Sequence, residues 1–179
     1  MERGWAAAVL TRDERPVQSA VTTGVAGAPY ESGLLALREG PLLDAAVRAP
    51  AEPPVLMIAH AIARDHPRAA GLARHLGVVL ELPSIGVTDR PLQAIGPEPG
   101  PERGETSRLL LDGVETARML RTRAGARPLV VHAGWRTVLD TAISVALAST
   151  GRVRTPEPLR RARRLARPAR AAAEEGRRG

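Results

Sequence analysis

Apolar and polar positions along the chain fall into short blocks separated by turn residues. Residues 5–11 and 17–23 are strand-like and flank Asp13-Glu14-Arg15-Pro16, which predicts a β-hairpin. Residues 34–48 place Leu34, Leu35, Leu37, Leu42, Leu43, Ala46 and Val47 at helical spacing. Gly40-Pro41 interrupts that pattern and predicts two helical pieces or a kink. The apolar run 55–59 suits a buried strand. A loop with Arg64, Asp65 and His66 follows, then a helix opened by Pro67 with Asp65 or His66 near its cap. Gly77 is expected to stop that helix, and residues 78–82 to begin the next strand. Strand, polar loop, helix and strand form a βαβ unit, which carries ligands at the C-terminal ends of its strands. The polar clusters Arg64-Asp65-His66 and Thr88-Asp89-Arg90 fall at those ends.

Beyond this unit, residues 95–104 form a Pro/Gly-rich loop. Residues 108–120 read as a hairpin turning on Asp112-Gly113. Residues 128–132 read as a buried strand and 137–150 as a helix. Thr155 and Pro156 suit the cap and first position of a last helix that frays from Ala171 onward. The order hairpin, kinked helix, βαβ, hairpin, strand, helix predicts an α/β sandwich with a mixed sheet.

Composition adds three constraints. At 179 residues and 44% apolar content the chain suits one globular domain. It has no Cys, which excludes disulfides and thiolate metal sites. It shows neither a charged-then-apolar signal pattern nor an apolar run of membrane length, which reads as cytoplasmic. The formal net charge of +7 is carried by residues 152–179, with ten Arg and three Glu. That tail is either a solvated helix or an arm for phosphate. All basic side chains are Arg, so the choice of Arg over Lys carries no information.

Candidate chemistry is sparse. The lone Tyr30, on a turn-rich loop, either packs at the loop base or stacks on a base. Glu39 precedes the helix break and is a solvated helix residue or points into a cleft. Asp65 is an N-cap or a ligand. Asp140 sits in a helix first turn, where the dipole favours an acid, or faces the strand ends of the βαβ unit. No Walker loop, GxGxxG, HExxH or Cys/His zinc spacing occurs.

Eight stretches, in order, resemble the endonuclease V family, nucleases that cut near deoxyinosine in DNA or inosine in RNA. They are Pro29-Tyr30 with Gly33, residues 35–41, His66-Pro67-Arg68, Gly71-Leu-Ala with His75-Leu-Gly77, residues 82–87, Gly134 with Arg136, Asp140, and Pro156-Glu-Pro with Arg160. The resemblance implies an RNase H-like mixed sheet flanked by helices over residues 1–165, with 166–179 an Arg/Ala-rich tail. It implies a hydrolase that uses Mg²⁺ or Mn²⁺ to cleave a phosphodiester of DNA or RNA, acting as a monomer. Glu39 and Asp140 are then the catalytic acids, and Glu39 with His60 the metal ligands. Tyr30, His66, Pro67, Arg68, Gly86, Arg90 and Arg136 contact nucleic acid. Tyr30 is the strand-separating wedge, and the turn at residues 85–87 approaches the backbone.

There are four departures from the family pattern. The family's first strand, ending in Asp-Val, has no counterpart, since Met1 stands just before what would be the second strand. His60 replaces a metal-binding Asp. Ala61 and Ala63 replace pocket glycines, and Trp135 replaces the His of a Gly-His-Arg motif. Asp89 also replaces a Lys and is expected to repel phosphate. Three expectations compete: a metal-dependent nuclease, an inactive relative that binds nucleic acid, and a fragment with a misassigned start.

Overall fold

The computed structural model describes residues 2–175. The chain divides into two compact units, residues 1–54 with 158 onward, and residues 55–157.

In the first unit, β1 (Arg3–Arg12) and β2 (Arg15–Val25) pair antiparallel as expected. Asp13 and Glu14 make the turn with φ of 49° and 64°, the left-handed pair that a two-residue hairpin needs for its twist. Gly4 and Gly24 face each other across the ladder and open a notch for Leu42. A Cβ on Gly4 would come within 2.7 Å of a Leu42 methyl, and one on Gly24 within 3.0 Å. Leu42 belongs to α1 (Leu35–Arg48), and its carbonyl accepts a 2.8 Å hydrogen bond from the Thr22 hydroxyl.

Of the two outcomes expected at Gly40-Pro41, two separate helical pieces are not found. The helix runs through Pro41 without interruption. Pro41 has no N–H for the Leu37 carbonyl four residues earlier. Gly27 passes against that carbonyl, and its own N–H donates to the Arg38 carbonyl at 3.0 Å. The segment after β2 thus lies along the turn that the proline weakens. A methyl at residue 27 would overlap the Leu37 carbonyl, which is backbone and cannot swing aside. We expect Gly27→Ala to lower unfolding free energy by about 1–3 kcal/mol, read as a fall in the urea midpoint at constant m-value. The last helix, α4 (Glu157–Glu175), starts one residue later than expected.

The second unit is a five-stranded mixed sheet in the order β3-β4-β7-β6-β5. β3 (Met57–Ala59) and β4 (Ser84–Thr88) are parallel and joined through α2 (Leu72–Val79), the predicted βαβ unit. β5 (Thr106–Leu111) and β6 (Val114–Leu120) form the predicted hairpin, with Asp112 and Gly113 at φ of 50° and 78°. β7 (Leu129–Ala133) inserts antiparallel between β4 and β6. α3 (Leu139–Ala148) packs on β7 and β6. Ile85, Val87, Leu109, Leu120, Leu129 and Val131 are all but sealed from solvent and form much of the core. Among the described residues, no helix is long and apolar enough to cross a membrane.

Two boundaries of the βαβ unit differ from expectation. α2 begins at Leu72, because residues 66–69 form a turn closed by the Ala69 N–H on the His66 carbonyl, with Ala69 at φ 49°. Residues 78–82 are not strand. Val78 and Val79 end α2, and Glu81 at φ 53° closes it, with N–H groups of Glu81 and Leu82 on the carbonyls of Val78 and Gly77. Gly77 lies inside the helix, at a point where a side chain would strike Ser84 and Trp135.

Candidate nucleic-acid interface

Asp65 is fully buried and caps no helix. Its carboxylate accepts the backbone N–H groups of Leu92 (2.6 Å), Gln93 (2.8 Å) and Ala94 (2.8 Å). It thereby ties the loop after β3 to the loop after β4. Both its oxygens are occupied by these donors, which explains the residue without a metal.

His132 lies in the middle of β7 opposite Gly86 and is inaccessible to solvent. The Thr88 hydroxyl donates to the Arg90 carbonyl at 2.9 Å, so it can only accept from the His132 Nε2, 3.3 Å away. The proton therefore sits on Nε2, and Nδ1 is buried without a hydrogen-bond partner. Burial pushes the His132 pKa down to about 4, with the nearby Asp65 charge opposing it. The ring is neutral at pH 7.

Ser84 joins α2, β4 and the segment after β7. Its hydroxyl donates to the Ala73 carbonyl and accepts the Trp135 N–H, both at 2.9 Å. Its carbonyl accepts the Gly134 N–H at 2.9 Å and the Thr137 hydroxyl at 2.7 Å. Its N–H donates to the Trp135 carbonyl at 2.9 Å. Removing the hydroxyl strands one buried acceptor and one donor, so Ser84→Ala should lower stability by about 2 kcal/mol, measured by chemical denaturation. A variant as stable as the parent would contradict this.

The predicted site residues are distributed over both units. In the first, the Tyr30 ring is 72% exposed, as stacking requires, and is not packed at its loop base. Glu39 is on the accessible side of α1. Desolvation nonetheless raises its carboxyl pKa, against the pull of Arg38.

In the second unit, His60 follows β3 and is exposed. Its Nδ1 lies 2.9 Å from the Val87 carbonyl, which can only accept, so Nδ1 is the donor. His66 is buried and its Nδ1 accepts the Arg68 N–H at 3.2 Å, while Pro67 and Arg68 are exposed. Residues 85–87 are strand and not the expected turn. Gly86 is buried, and its missing Cβ leaves room for the Ala61 carbonyl. Ala61 and Ala63 are buried themselves.

Asp140 is exposed in the first turn of α3 and pairs with Arg118 at 2.5 Å. Arg118 also binds Glu115 at 2.6 Å, and that hydrogen bond holds the Glu115 carboxyl below its ordinary pKa. α3 follows the end of β7, which pairs with the start of β4. The connection to α3 thus leaves from the end of the sheet opposite to the strand ends that lead into His60 and Thr88.

Arg90 lines a cavity of about 560 Å³ with Asp89, Arg127 and Arg154. Asp89 is paired with Arg154 at 2.7 Å, so its charge is offset and does not stand alone against a phosphate. Arg136 is exposed, at φ 50°, with its guanidinium 5.8 Å from the Trp135 ring centroid. It shares a second cavity of about 500 Å³ with Arg64 and Arg74. Sequence reasoning missed Arg74 because the misplaced start of α2 hid that it lies in the first turn.

A model of the endonuclease V family matches residues 1–164. The chain belongs to the endonuclease V family. An endonuclease V from Streptomyces avermitilis is 42% identical over 151 residues, 84% of this chain. The chain spans 66% of that relative's length. The crystal structure of the S. avermitilis endonuclease V superposes with a TM-score of 0.86 at 37% identity, covering 97% of this chain and 83% of that one. The crystal structure of human ENDOV gives 0.85 at 32% identity, covering 96% and 80%. The family fold agrees with the α/β architecture inferred from the pattern of elements.

The residues present do not fit the divalent ion implied by the family resemblance. Hard cations such as Mg²⁺ take several oxygen ligands. Among the described residues no three His, Asp or Glu side chains gather where one ion could be held. Asp65 is fully engaged by backbone donors, and one oxygen of Asp140 pairs with Arg118.

Proposed function

We propose that this chain is a nucleic-acid-binding member of the endonuclease V family, and that its described side chains do not by themselves carry out metal-dependent cleavage. The donor set carries this reading. Asp65 is taken up by backbone donors of a loop, Asp140 pairs with Arg118, and among the described residues no three His, Asp or Glu side chains gather where one ion could be held. Binding is supported by the exposed Tyr30 ring, which can stack on a base, and by the arginines around both cavities.

The second reading is a metal-dependent endonuclease of the deoxyinosine or inosine type. It is favoured by Glu39, which retains its carboxyl on α1 at the position matching the family's metal-binding glutamate. One assay separates the two. The protein is incubated with inosine-containing and plain DNA and RNA oligonucleotides, with and without Mg²⁺ or Mn²⁺, beside Glu39→Ala. Binding that weakens with salt, without metal-stimulated cleavage, supports the first reading. Cleavage that needs the metal and disappears in Glu39→Ala establishes the second.

A further inference from the structure

We propose that the cavity bounded by Arg64, Arg74, Trp135 and Arg136 holds one nucleotide of a single strand, its phosphate among the guanidinium groups and its base against the Trp135 ring. This rests on the nucleic-acid-binding reading above and adds to it a contact on the α2 and β7–α3 side of the second unit.

Three elements converge there. Arg64 comes from the loop after β3, Arg74 from the first turn of α2, and Trp135 and Arg136 from the connection between β7 and α3. The volume of about 500 Å³ falls within the range of roughly 300–1,000 Å³ typical of ligand pockets. Gly134, Thr137, Val138 and Thr141 complete the lining, which contains no acid. None of the three arginines pairs with a carboxylate among the described residues. Three like charges around one cavity repel one another, and an anion relieves that repulsion. The fork of each guanidinium matches phosphate oxygens.

The Trp135 backbone is held at both its N–H and its carbonyl by Ser84, and its Cβ by the bare Cα of Gly77. The ring is half-buried, with Arg136 on one face, so it is a fixed platform for stacking. Arg136 is held in the left-handed region, where a side chain is disfavoured. Backbone strain of this kind clusters at ligand sites.

The test uses a Trp5→Phe background, so that Trp135 is the only indole. Its fluorescence is followed on titration with oligo-dT, thymidine 5′-monophosphate and inorganic phosphate. Oligo-dT and the mononucleotide should quench it, and phosphate alone should not. Trp135→Ala, which keeps the Cβ that contacts Gly77, should bind oligo-dT about ten-fold more weakly. Arg64→Gln with Arg74→Gln should lower the slope of log affinity against log salt by about 1.4, for two lost single-strand contacts. Arg136→Gly should weaken binding while the denaturation midpoint holds or rises, because glycine relieves the backbone.

If oligo-dT binds but these variants leave affinity and salt slope unchanged and Trp135 is not quenched, the pocket assignment is overturned and the binding reading survives. If no oligonucleotide binds, the binding reading fails. The pocket is then judged by the mononucleotide, whose failure to quench Trp135 overturns it as well.

Discussion

Asp65→Ala should lower stability by about 3–5 kcal/mol. The carboxylate is sealed from solvent and accepts three consecutive backbone N–H groups from the segment that follows β4. Alanine leaves those donors facing a void, and water can reach them only by opening the loop. Asp65→Asn tests the charge separately. It keeps the shape but turns one acceptor into a donor, which must face an N–H, so it should lose about half as much. Urea denaturation followed by circular dichroism measures both. Equal stability of Asp65→Ala and the parent would show that the loop is held by other means.

Acid should destabilise the protein through His132. Its folded pKa of about 4 lies below the ordinary 6.5, so the unfolded chain takes up a proton that the folded chain refuses. The stability associated with the neutral ring is complete above pH 6.5. It falls as pH drops from 6.5 toward 4, by about 3 kcal/mol in total. His132→Gln cannot titrate. Its denaturation midpoints at pH 7, 5.5 and 4.5 should follow a shallower pH dependence than those of the parent. Identical slopes would rule out His132 as the source. The same substitution can also offer an amide N–H or carbonyl to the orphaned space at Nδ1, so its absolute stability at pH 7 is a separate quantity from the slope.

Local chemistry made some of this structure readable in the sequence. Asp112-Gly113 between apolar runs specifies a hairpin, and the apolar blocks on either side of α2 specify a βαβ unit, because the signals lie within a few residues of what they control. The start of α2 was misread because Pro67 carries the N-terminal signal of a helix while Ala69, in a left-handed turn, delays it. Residues 78–82 look like strand by their branched side chains. Val78 and Val79 instead end α2, whose Gly77 packs under Ser84 and Trp135, residues that lie far apart in sequence. The site was less legible for the same reason. Asp65 has an adequate local explanation as a cap, but its actual partners lie 27 to 29 residues downstream. Gly40-Pro41 predicts two helical pieces or a kink; the helix stays in one piece, with Gly27 passing alongside it.

Gly86 has a consequence for folding as well as for packing. Its bare Cα faces the Ala61 carbonyl in the middle of β4, with Ile85 before it and Val87 after it. A slip of one residue along β7 or β3 would bring a branched side chain to that carbonyl and turn the core residues Ile85 and Val87 to the opposite face. The glycine therefore acts as a key. Off-register pairings of β4 are excluded by collision as well as by lost burial, in a strand only five residues long.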